Sequence, residues 1–184
     1  MPWLLIIGGA IGLIASFALT YEDFQLALKG EDFVASCDFG TVLTCTDVMQ
    51  SDQASVFGFA NPLIGLMAFP VLITAGVASL AVPVASRARW AEWFWAGMQI
   101  GVTLGIVFVT WLQFQTIYRI EALCPWCMVV WVAVIPIFVH VSARNLRTWA
   151  PTASIGRILS DWQLLIIALW YIVVATAIVF KFFV

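Results

Sequence analysis

The residues best suited to chemistry are four cysteines in two pairs, Cys37 and Cys45 in "CDFGTVLTC" and Cys124 and Cys127 in "CPWC". A Cys-x-x-Cys that opens a helix puts its sulfurs near free backbone N–H groups and the positive end of the helix dipole. Both stabilise a thiolate and bring a thiol pKa below about 8.5. Pro125 suits the first helical turn, where its missing donor costs nothing. Sulfurs so spaced can open and close a disulfide without moving the helix. The plainer alternatives are two core thiols for Cys124/Cys127 and a structural staple for Cys37/Cys45. If both pairs share one face, they can form a relay, because exchange needs only an accessible thiolate and a target sulfur. A four-cysteine zinc site is disfavoured: such sites usually show two short Cys-x-x-Cys knuckles, and Cys37/Cys45 do not form one.

The elements that must carry these sulfurs are membrane helices. The 184 residues are 64% hydrophobic and 10% charged, whereas a soluble domain is roughly a quarter charged. Net charge is −2 and no basic cluster exists, so nucleic acid is not an expected partner. Five stretches, 3–20, 60–83, 93–116, 122–142 and 162–182, are each long and apolar enough to span a bilayer. The first lacks the basic n-region of a signal peptide and is expected to stay as a helix.

Charge orients them. Residues 21–59 hold Glu22, Asp23, Glu31, Asp32, Asp38, Asp47 and Asp52 against Lys29 alone. The second and fourth connections carry Arg87, Arg89, Arg144, Arg147 and Arg157, against three basic residues elsewhere. The positive-inside rule puts the N-terminus in the cytoplasm and the 21–59 loop outside. Trp3, Trp90, Trp93, Trp149 and Trp162 suit one interface, Trp111 and Trp126 the other. All four sulfurs then reach one face, since the 16 residues between Thr20 and Cys37 can span about 50 Å.

Gly97, Gly101 and Gly105, like Gly8 and Gly12, recur every four residues, which is expected to let helices approach closely. Pro70 and Pro136 fall within helices, where kinks are expected. Electrons reaching Cys124/Cys127 must also leave. His140 is the one histidine and there is no GxGxxG, so neither a bis-histidine haem nor a dinucleotide site can be built. By elimination, the acceptor is a lipid-soluble quinone. Asn61 is the best-placed hydrogen-bond donor, with a helix cap as its plainer role.

Taken in order, "CDFGTVLTC", "SVFGFANPLIG" and "CPWC" resemble the vitamin K epoxide reductase family, specifically its bacterial homologues. DsbB-type thiol oxidases place the Cys-x-x-Cys pair in the first outer loop, the reverse of the order here. The resemblance implies an all-α integral membrane protein: a four-helix transmembrane bundle around a quinone (menaquinone or ubiquinone), with a fifth helix outside. It implies that Cys127 lies nearest the quinone, attacking it or forming a charge-transfer adduct, and that Cys124 exchanges with Cys45. Cys37 would receive electrons from a DsbA-like or thioredoxin-like protein. Asn61 falls at a quinone-binding asparagine and Ser51 at a serine near the loop-to-helix junction. Trp131 stands where vertebrate enzymes have a tyrosine bonding the quinone oxygen, and an indole can donate but not accept. Some bacterial members carry a fused thioredoxin-like domain. None is expected here, which makes the partner a separate protein.

The expected function is quinone-dependent thiol oxidation that supports disulfide formation outside the cytoplasm, from the cytoplasmic membrane. The alternatives are reduction of vitamin K epoxide and a structural membrane protein with two inert disulfides. A transporter would need intramembrane charges, and the interiors of the five stretches have none until close to their ends.

Overall fold

A computed structural model describes residues 1–30, 33–81, 92–150 and 154–183, without the side chains of 154–157. Glu31, Asp32, Arg87, Arg89, Trp90 and the side chain of Arg157, on which part of the orientation argument rests, lie outside the described residues. The described chain is helical: α1 (Pro2–Lys29), α2 (Cys45–Met49), a 3-10 turn (Asp52–Ser55), α3 (Pro62–Ala81) and α4 (Glu92–Gln115). A π turn (Thr116–Ile120), α5 (Pro125–Trp149), α6 (Ser154–Asp161) and α7 (Gln163–Phe183) follow. Among the described residues there is no strand, and α1, α3, α4 with its π turn, α5 and α7 are long and apolar enough to cross a membrane.

The ends of these helices depart from the expected spans for physical reasons. α1 runs past Thr20 through "YEDFQLALK", where Glu, Gln, Leu, Ala and Lys are good helix formers. It stops at Gly30, whose φ of 71° favours glycine. α5 starts at Pro125 rather than 122, because Leu123 is drawn into pairing with the loop and Cys124 serves as the N-cap. It continues to Trp149 because polar residues of its last turns are satisfied against α4. Asn145 Nδ2 donates to Trp95 O (3.1 Å) and Gln99 Oε1 (3.0 Å), and Gln99 Nε2 donates to Ser142 Oγ (2.9 Å).

α5 is the central helix, with Ile135, Ile137, Val139 and Val141 all buried. α1 packs tightly on α3. A Cβ on Gly76 would sit 2.7 Å from Ile6 Cγ1 and 2.9 Å from Pro2 O, and one on Gly12 would collide with the Phe69 ring. α7 lies outside. Ile167 is its one buried residue among those described, and Tyr171 Oη donates to Val132 O at 2.9 Å. The Lys181–Glu121 pair (2.7 Å) is half exposed and contributes about 0–1 kcal/mol.

Candidate functional site

The sulfur cluster is assembled by short-range backbone pairing. Leu43 and Leu123 form an isolated parallel bridge: Thr44 N–H donates to Leu123 O (3.0 Å) and Leu123 N–H to Val42 O (2.8 Å). This lays the residue before Cys45 beside the residue before Cys124. α2 begins at Cys45 because its free N–H groups are met by side chains. Thr44 accepts from Asp47 N–H, while Asp38 Oδ1 accepts from Cys45 N–H (2.5 Å) and Thr46 N–H (3.2 Å). Asp38 Oδ2 accepts from the Thr46 hydroxyl at 2.6 Å. Burial pushes the Asp38 carboxyl up, but the bonds from Thr46 and Cys45 outweigh it and hold the group below the usual carboxylate range.

Cys37 and Cys45 are disulfide-bonded, while Cys124 and Cys127 are free. Cys45 Sγ lies 3.2 Å from Cys124 Sγ. Since a disulfide sulfur carries no proton, any hydrogen bond between them is donated by Cys124. Cys45 and Cys124 are fully buried, and Cys37 is 4% exposed. Cys124 is the N-cap of α5, and its sulfur accepts from Cys127 N–H at 3.4 Å. A hydrogen bond from the Cys127 thiol lowers the Cys124 pKa. Burial opposes this, the N–H groups of Cys127 and Trp126 add to it, and the charge of Asp38 opposes it; the net direction is down. The expected thiolate at a helix start is therefore favoured, with Pro125 in the first turn. Cys37, Asp38 and Cys45 also lie close enough to hold a metal ion, but the disulfide leaves neither sulfur as a thiolate ligand.

A cavity of about 540 Å³ opens beside the sulfurs, walled by α1, α3, α4, α5 and the loop. Cys124 and Cys127 line it together with Ser51, Asn61 and Trp131, so the sequence-predicted residues Cys124, Cys127, Ser51, Asn61 and Trp131 share one space. Cys37 and Cys45 do not line it; they reach it through Cys124. Asn61 does not cap α3 with its side chain. Its Nδ2 donates to Gln53 O (2.7 Å), and its Oδ1 is buried with no partner. Ser51 Oγ donates to Val48 O at 2.6 Å. Trp131 is buried one helical turn beyond Cys127 and packs with Val109, Ile117 and Ile135.

The glycines of α4 correct an expectation. Gly97, Gly101 and Gly105 line the cavity, and a Cβ on any of them would meet nothing within 4 Å. They widen a space rather than close a helix contact. Gly8 does pack as expected, its missing Cβ lying 3.0 Å from Ile137 Cδ1. Sequence reasoning missed Asp38, whose place between the cysteines was readable but whose reach to Cys45 depends on the loop's fold. It also missed Phe108, which lines the cavity and stacks on Trp111 with ring centroids 6.0 Å apart.

The cavity tests whether a quinone fits these residues. An unpartnered amide oxygen that can accept from the hydroxyl of the reduced ring, a mostly apolar wall, a dithiol at one end and a glycine-widened flank suit a flat, two-oxygen ring with an apolar tail. No curated protein and no solved structure gives a significant match. The profile of the Vitamin K epoxide reductase family matches residues 3–142, most of the chain. The chain therefore belongs to the vitamin K epoxide reductase family, whose members are membrane oxidoreductases.

Proposed function

We propose that this protein is a quinone-dependent thiol oxidase that reoxidises a separate DsbA-like or thioredoxin-like protein on the outer side of the cytoplasmic membrane. The observation that carries this reading is the 3.2 Å contact between Cys45 of the loop disulfide and Cys124. It joins the loop pair to a pair that faces the cavity.

The partner's thiolate attacks Cys37, and Cys45 leaves. Cys37 is nearly buried, so docking lifts the segment around it. The partner's second thiol then displaces Cys37, giving an oxidised partner and a reduced Cys37/Cys45 pair. Cys45 attacks Cys124 of the Cys124–Cys127 disulfide and releases Cys127 as a thiolate. Cys37 then attacks Cys45, re-forming the loop disulfide and freeing Cys124. The resulting state has the loop pair oxidised and Cys124 and Cys127 as thiols, the same bonding pattern as the structure described above.

A quinone bound in the cavity would accept two electrons and two protons as Cys124 and Cys127 re-form their disulfide. Asn61 would hold a ring oxygen through its side-chain amide, Trp131 and Ser51 would border the ring, and the apolar walls would exclude water. The topology rests on charge. Arg144 and Arg147 sit in the last turns of α5, far along the helix from Cys124, which supports an outward-facing sulfur cluster.

The test is turnover of purified protein with a quinone and a reduced CxxC protein. Oxidation of that protein with matching loss of quinone is expected, and Cys127→Ala is expected to stop it. Near-normal turnover by that variant would overturn the assignment.

A further inference from the structure

The relay requires Cys45 to remain over Cys124 at the moment its own bond to Cys37 is broken, and the disulfide cannot hold it there then. A loop pair separated by eight residues would otherwise be free to spread, because a reduced pair has only its backbone to restrain it. Two other restraints reach the same spot. The first is the Leu43–Leu123 bridge, which fixes the approach to Cys45 against the approach to Cys124. The second is the Asp38 carboxylate, covalently next to Cys37 and hydrogen-bonded to the N–H of Cys45, the N–H of Thr46 and the Thr46 hydroxyl. Thr46 Oγ1 in turn accepts from Ala35 N–H at 3.0 Å. A second tie on the Cys37 side comes from Ser36, whose hydroxyl donates to the buried Glu22 of α1.

We propose that Asp38 is a positioning residue of the relay: its carboxylate replaces the Cys37–Cys45 bond as the link between the two halves of the loop whenever that bond is open, and keeps Cys45 in register with Cys124. This rests on the relay reading, and it gives the carboxylate a task beyond capping a five-residue helix. Charge-assisted bonds to three donors are among the stronger ties available to a loop of this size. They do not depend on the redox state of either sulfur. Cys37 can then be carried away by a partner while Cys45 stays in place.

The experiment uses the full chain with Cys37→Ser and Cys127→Ser, which leaves Cys45 and Cys124 as its thiols, and follows their joining when diamide is added as oxidant. No quinone or partner is present, so the result does not depend on what the protein oxidises. Rapid formation of the Cys45–Cys124 disulfide is expected. Adding Asp38→Ala should slow it about tenfold or more, the scale set by an ångström of misplacement, whereas Asp38→Asn should stay within about threefold. Asparagine keeps an oxygen for the two N–H groups, so its rescue separates hydrogen bonding from charge. Thr46→Val, which removes one of the three bonds and the acceptor of Ala35 N–H but leaves the carboxylate, should fall between. Equal rates for Asp38→Ala and the parent would overturn the proposal, as would equal slowing by Ala and Asn. If Asp38→Ala does not fold, the Thr46→Val and Asp38→Asn rates decide. Thr46→Val joining as fast as the parent overturns the proposal, and an intermediate rate with Asn near the parent supports it.

Discussion

Cys45 Sγ rests 3.2 Å from Cys124 Sγ while it is still bonded to Cys37. Among the loop sulfurs, then, the one that faces the helix-end thiol is the inner one. Attack by Cys124 on Cys45 expels Cys37, and attack by Cys45 on an oxidised Cys124 expels Cys127. The same contact therefore serves both directions, and the direction of net flow follows from which pair is being reduced or oxidised at its far end.

The ionisation of Cys124 should be visible in its reactivity. Its pKa is held down chiefly by the Cys127 thiol, so its alkylation rate in the reduced protein should rise with pH around a midpoint below that of an ordinary thiol. The sign follows directly: a lowered pKa puts the thiolate at lower pH. Cys127→Ala removes the donor and should move that midpoint upward. Peptide mapping of iodoacetamide labelling against pH reads both midpoints, and an unchanged or lower midpoint in the variant would contradict the assignment.

Asn61→Leu should raise KM for the quinone about tenfold or more, the effect of one lost hydrogen bond in a dry site. Part of the change comes from the loop, because the same amide ties Gln53 O. Asn61→Asp keeps acceptor oxygens but loses both amide N–H groups, and it should raise KM at least as much. Steady-state kinetics on both variants, with the partner saturating, reads KM, and a near-parent KM in either would contradict the role.

Glycines packed between helices and glycines lining the cavity should respond oppositely. Gly76→Ala pushes a Cβ into Ile6 and Pro2 O and should cost on the order of 1–3 kcal/mol of stability. Gly101→Leu enters open space and should change stability by less than about 1 kcal/mol. It should weaken a long-tailed quinone at least about tenfold, equivalent to 1.4 kcal/mol, while sparing a tail-less analogue. Thermal unfolding in detergent and quinone titration report the two effects separately.

These glycines also show what the sequence could and could not reveal. Spacing of four is identical on α1 and α4, and nothing local distinguishes a stripe pressed on Ile137 and Phe69 from one facing a cavity; that depends on which helices become neighbours. The membrane helices were legible because lipid demands about 20 apolar residues, and "CPWC" was legible because a helix start has a known effect on thiols. The end of α1 was not, since Glu22 and Asp23 read as loop, yet Glu22 is buried against the Ser36 hydroxyl. The Leu43–Leu123 bridge was equally hidden: it joins residues 80 apart in segments too short to carry a strand signal.

Asn145 anchors the end of α5 away from the sulfurs. It donates to Trp95 O and Gln99 Oε1 and accepts from Arg144, whose guanidinium lies 3.9 Å from the Trp95 ring centre. Asn145→Ala leaves those groups short of partners and should destabilise the fold by about 1–3 kcal/mol. The midpoint of thermal unfolding should fall while Cys45–Cys124 exchange at low temperature stays unchanged.

The account depends most on which sulfurs trade a bond, and disulfide mapping of Cys127→Ser protein, alkylated with iodoacetamide after incubation without reductant, reads this directly. The predicted products are the Cys37–Cys45 disulfide in exchange with a Cys45–Cys124 disulfide whose Cys37 is alkylated. A Cys37–Cys124 bond, or no Cys45–Cys124 species at all, would contradict it.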